Sequence, residues 1–151
     1  MAEKQNVDYY IIRDFNITDY DSVSALWEQT GMGGAVRGDT LQVIEQTLAH
    51  GGKFLILEYL PQKKVAGTAW LTNDFRRLYL HHFGILPEFQ GLGLSNLLCQ
   101  KCIQIGKELK LQLKLEVHRD NVKARKLYLK HGFKELGDYQ VLIIRNYEPS
   151  K

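Results

Sequence analysis

Bulky residues cluster or alternate over short runs in some stretches of the chain and recur every three or four positions in others, and these two periods mark strands and helices. Tyr9 to Phe15 is short, bulky and partly β-branched, which predicts a strand. Ile17 then leads to Thr18 with an acid at Asp21, the arrangement that opens a helix. Val23, Leu26 and Trp27 repeat at helical spacing until Gly31, after which Gly33, Gly34 and Gly38 make a flexible loop suited to border a ligand. Asp39 is the expected cap of a second helix carrying Leu41, Ile44, Glu45 and Leu48, which ends at Gly51 and Gly52.

The period then shortens. Phe54 to Tyr59 and Val65 to Thr72 read as strands joined by a turn at Pro61 to Lys64, and Arg77 to Ile85 is a third consecutive strand stopped by Pro87. The strongest helical pattern follows, with Leu94, Leu97, Leu98, Cys102, Ile105 and Leu109 on one face. Leu113, Leu115 and Val117 alternate with Gln112, Lys114 and Glu116, so a strand comes next and completes a βαβ crossover. Asn121 opens a helix through Ala124, Leu127 and Tyr128 that closes at Gly132, and Val141 to Ile144 is the expected terminal strand. With neither repeat nor linker, the 151 residues predict one α/β (α+β) domain spanning 1–151.

Composition narrows the function classes. At 44% hydrophobic, 11% aromatic and 25% charged residues, the chain can bury a core, which excludes global disorder. The formal charge of +3 is too weak for a duplex nucleic acid partner, and no basic stripe with stacking aromatics is present, whereas an anionic ligand fits. Met1 to Asp8 has no apolar leader core, and no stretch approaches the roughly 18 apolar residues that span a bilayer. A cytoplasmic protein without a membrane partner is expected. Cys99 and Cys102 fall inside a helical pattern, where packing explains them better than zinc or redox work.

The segment Gln90-Gly91-Leu92-Gly93-Leu94-Ser95 lies between a strand and an amphipathic helix, where backbone N–H groups and the helix dipole can hold an anion. It is not a triphosphate loop, because no lysine follows until Lys101. Nor is it a dinucleotide fingerprint, which belongs after the first strand of a βαβ unit. The run Ile85-Leu86-Pro87-Glu88-Phe89-Gln90-Gly91-Leu92-Gly93-Leu94-Ser95 resembles the acetyl-coenzyme A signature of the GNAT N-acetyltransferases, Gln/Arg-x-x-Gly-x-Gly/Ala, with Ser95 departing at the last position. Leu115-Glu116-Val117, Asn121, Ala124, Leu127-Tyr128 and Gly132-Phe133 match the second half of the pattern.

The resemblance implies a mixed, mostly antiparallel sheet splayed between strands 4 and 5 and flanked by about four helices. It also implies acetyl-CoA as cosubstrate and a primary amine of a small molecule or of a peptide or protein as acceptor. No metal is expected, because no Cys or acid spacing completes a site around His81 and His82. Backbone groups near Phe83, Gly84 and Ile85 would pair with pantetheine, the amides of Gln90, Gly91, Leu92, Gly93, Leu94 and Ser95 would hold pyrophosphate, and Asn121 would lie near the cofactor. Tyr128 falls where the family places its general acid. For the base, His81 matches a position that carries glutamate in some relatives, and Glu116 competes through its spacing of 12 residues before Tyr128. On a regular strand Tyr79, His81 and Phe83 share one face while Leu80 and His82 share the other. A non-catalytic acyl-CoA sensor is the contrasting expectation, and a homodimer is the assembly to test.

Overall fold

The computed structural model describes residues 2–34 and 37–148. Five strands form one sheet in sequence order: β1 (Tyr10–Asp14), β2 (Lys53–Tyr59), β3 (Lys64–Asn73), β4 (Arg77–Ile85) and β5 (Gln112–Leu115). The first four pair antiparallel. Short turns join β2, β3 and β4 into a meander, whereas a helix carries the chain back from the end of β4, so β5 runs parallel to it. Four helices accompany the sheet: α1 (Tyr20–Thr30), α2 (Leu41–Ala49), α3 (Leu94–Leu109) and α4 (Val122–Lys130).

Both helix starts between β1 and β2 differ from the expected caps. Asn16, rather than Thr18, accepts the first amide, and the Asp19 carboxylate accepts from the Asn16 N–H at 2.7 Å, forming a 3₁₀ turn that runs into α1. Asp19 is the better partner because Arg13 donates to it through Nη1 at 2.8 Å and Nη2 at 2.9 Å while giving Nε to Glu58 at 2.7 Å. Burial works to raise the Asp19 carboxyl, but the guanidinium and the Asn16 N–H together hold it below the usual range. On α2, Thr40 accepts from the Val43 N–H at 3.2 Å, so Thr40 is the cap and Asp39 is released for another partner.

The buried centre brings α1 onto the meander. Trp27 stacks on Trp70 with ring centroids 6.0 Å apart, and Phe54 lies within 5.9 Å of both rings. Of the α3 positions expected to face inward, Leu94, Leu98, Cys102 and Ile105 do so, whereas Leu97 and Leu109 are exposed. Burial pushes the thiols of Cys99 and Cys102 up to about 11 and about 12, so both stay protonated and serve as packing groups.

Two departures from regular strands matter for the site. The pairing of β4 with β5 runs from Arg77↔Gln112 to Leu80↔Leu115, and β4 then continues to Ile85 without it, so the two edges part from His81 onward. On the other edge of β4, Thr68 pairs with Gly84 but Trp70 with His81, which leaves β4 with one extra residue, a β-bulge.

The expected strand at Val141 to Ile144 does not form. Arg125 holds Glu135, Phe133 packs on Tyr128 at 5.5 Å, and a turn at Leu136–Tyr139 closes with a 3.2 Å bond. Beyond that turn the chain is irregular, with 67% to 87% exposure at Val141, Leu142, Ile143 and Ile144. A β-rich composition supplies side chains suited to a sheet, but a strand exists only where another edge accepts its backbone, and this segment lies along none.

Candidate active site

The bulge in β4 builds the centre of the site. His82 occupies it with φ +47°, a left-handed conformation that a side-chain-bearing residue adopts at a cost. The Thr68 hydroxyl donates to the His82 carbonyl at 2.8 Å, which satisfies a backbone group the bulge removes from the ladder. The His82 ring packs 4.3 Å from Trp27, and its Nε2 lies 2.9 Å from Asp39 Oδ2, tying the glycine loop before α2 to β4.

This geometry corrects the expectation that His81 and His82 face opposite ways. Their rings approach Trp70 at 6.0 and 5.5 Å, and both residues line one cavity of about 600 Å³. The inserted residue breaks the two-residue alternation on which that expectation rests. His81 stacks on Tyr79 at 4.3 Å and meets the Thr72 hydroxyl through Nε2 at 2.9 Å. Burial above all, and then its histidine neighbour, lower the His81 imidazole to about 4, so it is neutral throughout the physiological range.

Glu116, just past β5, and Tyr128 on α4 line the same cavity, together with Met32 and Arg37 from the glycine loop. Burial first, and then the adjacent Glu116 carboxylate, raise the Tyr79 phenol. Tyr128 is also raised, by burial and then by the thiols of Cys99 and Cys102 behind it, and it keeps its proton. Its ring is wedged between Phe83 at 5.8 Å and Phe133 at 5.5 Å. Among the described residues, no hydrogen bond to the protein engages its hydroxyl.

A second cavity, of about 290 Å³, opens on the other side of Phe83. Gly84 and Ile85 from β4, the turn residues Gln90, Gly91 and Gly93, and Leu94 and Ser95 of α3 line it. Leu92, expected among these, is not in the lining and packs against the core instead. Gly91 and Gly93 have φ of +77° and +80°, and no atom lies within 4 Å of where a Cβ would sit on either. The backbone is therefore open to a ligand there. No side chain caps α3, so its first N–H groups face the cavity end without a side-chain acceptor, the arrangement that holds an anion. Gln90 braces the turn by donating from Nε2 to the Ile85 carbonyl at 2.9 Å. Asn121, which lines both cavities, caps α4 by accepting from the Ala124 N–H at 3.3 Å.

The two cavities share Phe83, Asn121 and Ala124 as a common wall, and Tyr128 stands beside that junction. The sequence reading missed Asp39, Arg37 and Met32 as site components. The glycine-rich loop was the available signal, but its partner on β4 depends on a contact 43 residues away. Among the described residues, no three His, Cys, Asp or Glu side chains come together as a metal-holding group, and no helix is long and apolar enough to cross a membrane.

His81 yields a pH expectation. Its folded value near 4 lies below the unfolded value of about 6.5, so its neutral form stabilises the fold fully above pH 6.5, and that contribution is lost as pH falls toward 4. His81→Gln should flatten the fall in urea midpoint between pH 6.5 and 4, a window worth up to about 3 kcal/mol in wild type. Parallel profiles for the two proteins would contradict this.

Comparison with known proteins agrees with this geometry. A curated relative, the ribosomal protein bS18-alanine N-acetyltransferase of Haemophilus influenzae, is 36% identical over 100 residues, which are 66% of this chain and 64% of the relative's own length. An acetyltransferase of the GNAT family from Staphylococcus aureus Mu50 has a similar fold, with a TM-score of 0.74 at 18% identity over 87% of this chain and 89% of that one. So does a predicted acetyltransferase with acetyl-CoA from Clostridium acetobutylicum, with a TM-score of 0.71 at 16% identity over 89% and 96%. Residues 20–133, from the start of α1 to the contact of Phe133 with Tyr128, match the model of the acetyltransferase (GNAT) family, and the chain belongs to that family, whose fold supports acetyl-CoA-dependent acyl transfer.

Proposed function

We propose that the protein transfers the acetyl group of acetyl-CoA to a primary amine by direct attack in a ternary complex. The observation that carries this reading is the junction of the two cavities at Phe83, Asn121 and Ala124 beside Tyr128. In this reading the narrower cavity takes the cosubstrate. The edge of β4 at Phe83, Gly84 and Ile85 pairs with the amide-bearing arm, and the turn from Gln90 to Ser95 holds the pyrophosphate. Lys123 lines the same cavity and adds positive charge. The wider cavity takes the amine.

The amine nitrogen attacks the thioester carbonyl carbon, forming the C–N bond, and collapse of the tetrahedral adduct breaks the C–S bond. Tyr128 donates its phenolic proton to the departing thiolate and regains one from solvent. Before attack, the acceptor must lose a proton, because an alkyl ammonium with a pKa of about 10.4 is only about one part in a thousand neutral near pH 7.4. His81 is the first acceptor of that proton in our reading. With a value near 4 it is always free to accept but holds the proton weakly, so it passes it to water through a cavity that Glu116 also lines.

The test is thiol release from acetyl-CoA across acceptor amines. The Haemophilus relative is named for an alanine acceptor, so a peptide with an N-terminal alanine is the first to try, followed by lysine peptides, polyamines and amino sugars. Tight acetyl-CoA binding with no release for any amine would favour a non-catalytic acyl-CoA sensor. The base assignment has its own measurement, a pH–rate profile. His81→Ala should lower turnover roughly 10- to 100-fold at neutral pH and recover as pH rises toward the amine's own value, while Glu116→Ala has the smaller effect. A larger, pH-rescued defect in Glu116→Ala alone would reverse the order.

A further inference from the structure

The glycine loop between α1 and α2 meets β4 at two points, and they straddle Phe83, which walls both cavities. Near the end of the loop Asp39 reaches His82, and near its start Met32 lies on Gly84. Gly84 has no left-handed backbone, so space rather than conformation demands glycine there: a Cβ would overlap the Met32 methyl and come within 3.1 Å of its sulfur. Local bonds aim both side chains. The Met32 N–H donates to the Trp27 carbonyl at 2.9 Å as α1 closes at Gly31. The Asp39 N–H donates to the Gly34 carbonyl at 3.0 Å, and the Asp39 carbonyl accepts from the Tyr20 hydroxyl at 3.2 Å.

His82 is a buried imidazole that the acetyl-transfer steps leave unused. A carboxylate only accepts, so Nε2 carries a proton and donates to Asp39. Nδ1 is buried and has no hydrogen-bond partner among the described residues. The polar hold on the ring therefore runs through Asp39 alone, between side chains only 14% and 18% exposed, where water competes weakly for the bond. Among the described residues, the loop gives Met32 and Arg37 to the lining of the wider cavity and none to the narrower one.

We propose that Asp39 and His82 are positioning residues for the acceptor: their hydrogen bond pins the loop to the bulge of β4, and the pinned loop holds Met32 and Arg37 as one wall of the amine site. That this wall serves the amine rests on the acetyl-transfer reading, whereas the pin does not. Loss of the pin should then act on one substrate and spare the other, because His82 and the loop line the wider cavity alone.

Asp39→Ala removes the acceptor of the bond, whereas Asp39→Asn keeps a carbonyl oxygen that can take the same Nε2–H. The amine is a peptide with an N-terminal alanine, or spermidine should the peptide not be a substrate. Asp39→Ala should lower kcat/KM for that amine about 10- to 100-fold, mainly through KM, with acetyl-CoA affinity by calorimetry within about two-fold of wild type. Asp39→Asn should recover most of the loss. Amide hydrogen exchange reads the pin without turnover: the Arg37 and Asp39 amides should be protected in wild type and in Asp39→Asn, and unprotected in Asp39→Ala. Should Asp39→Ala lose its fold, His82→Asn decides, because Asn tolerates the left-handed backbone and is too short to reach Asp39, and it should show the same selective loss. Unchanged amine kinetics or unchanged exchange in Asp39→Ala, an equal loss of acetyl-CoA affinity, or an Asp39→Asn as impaired as Asp39→Ala would each overturn the proposal. Exchange that follows the pin in a protein that acetylates no amine would overturn the acetyl-transfer reading instead, and the role of the wall with it.

Discussion

Tyr128→Phe should lower turnover about 10²- to 10⁴-fold while leaving acetyl-CoA affinity within a few-fold of wild type, as expected for loss of a positioned proton donor. That range corresponds to roughly 3 to 5 kcal/mol in the barrier. The substitution isolates the hydroxyl, because the ring that Phe keeps is the part wedged between Phe83 and Phe133. Burial holds the phenol protonated well above neutral pH, so the wild-type rate should not fall on the alkaline side through ionisation of Tyr128 below the amine's own range. Single-turnover thiol release and calorimetric titration with acetyl-CoA separate the two parameters. Wild-type turnover in the variant would remove the acid role, and a loss confined to cofactor affinity would make Tyr128 a binding residue.

Gly93→Glu should raise the dissociation constant for acetyl-CoA by at least about 100-fold, roughly 3 kcal/mol. Two effects combine. Gly93 sits at φ +80°, where a residue with a Cβ is strained by about 1 to 2 kcal/mol. A carboxylate at the start of α3 also competes for the N–H groups proposed to hold pyrophosphate. The space around the missing Cβ is empty, so the new side chain meets no core atom and the fold should persist by circular dichroism. Gly93→Ala carries the strain without the charge and should show a clearly smaller loss. Equal losses in the two variants would assign the effect to backbone geometry, and unchanged affinity in both would place the pyrophosphate elsewhere.

The pairing of His82 with Asp39 ties the glycine loop to β4 at the bulge. The bulge that turns His82 out of the ladder brings both histidines to the same cavity, and it lies next to the point where β4 and β5 part. The strained residue, its contact with the glycine loop and the start of the splay thus lie next to one another on β4. The strain is held in place by the Trp27 and Trp70 rings packed on His82 and by the Thr68 hydroxyl on its carbonyl.

What the sequence by itself determined are the features with local causes. The helical repeat from Leu94 to Leu109 is an α-helix over those residues because its apolar positions fall on one face at any place in the fold. Arg77 to Ile85 is a strand with those bounds, flanked by a polar turn and Pro87. The glycine turn before α3 was legible for the same reason, since Gly91 and Gly93 occupy a conformation that other residues adopt at a cost. Features that depend on distant partners were decided by tertiary structure. Asp39 is a plausible helix cap in isolation, yet it lies against His82 once α1 and β4 come together, and Thr40 takes the cap. The alternation that separated His81 from His82 fails because register with β3 inserts a bulge, and Val141 to Ile144 lacks the edge that would make it a strand. Periodicity records which side chains need burial, whereas the surface that buries them, and the backbone edge that pairs with theirs, is supplied by residues far away in the chain.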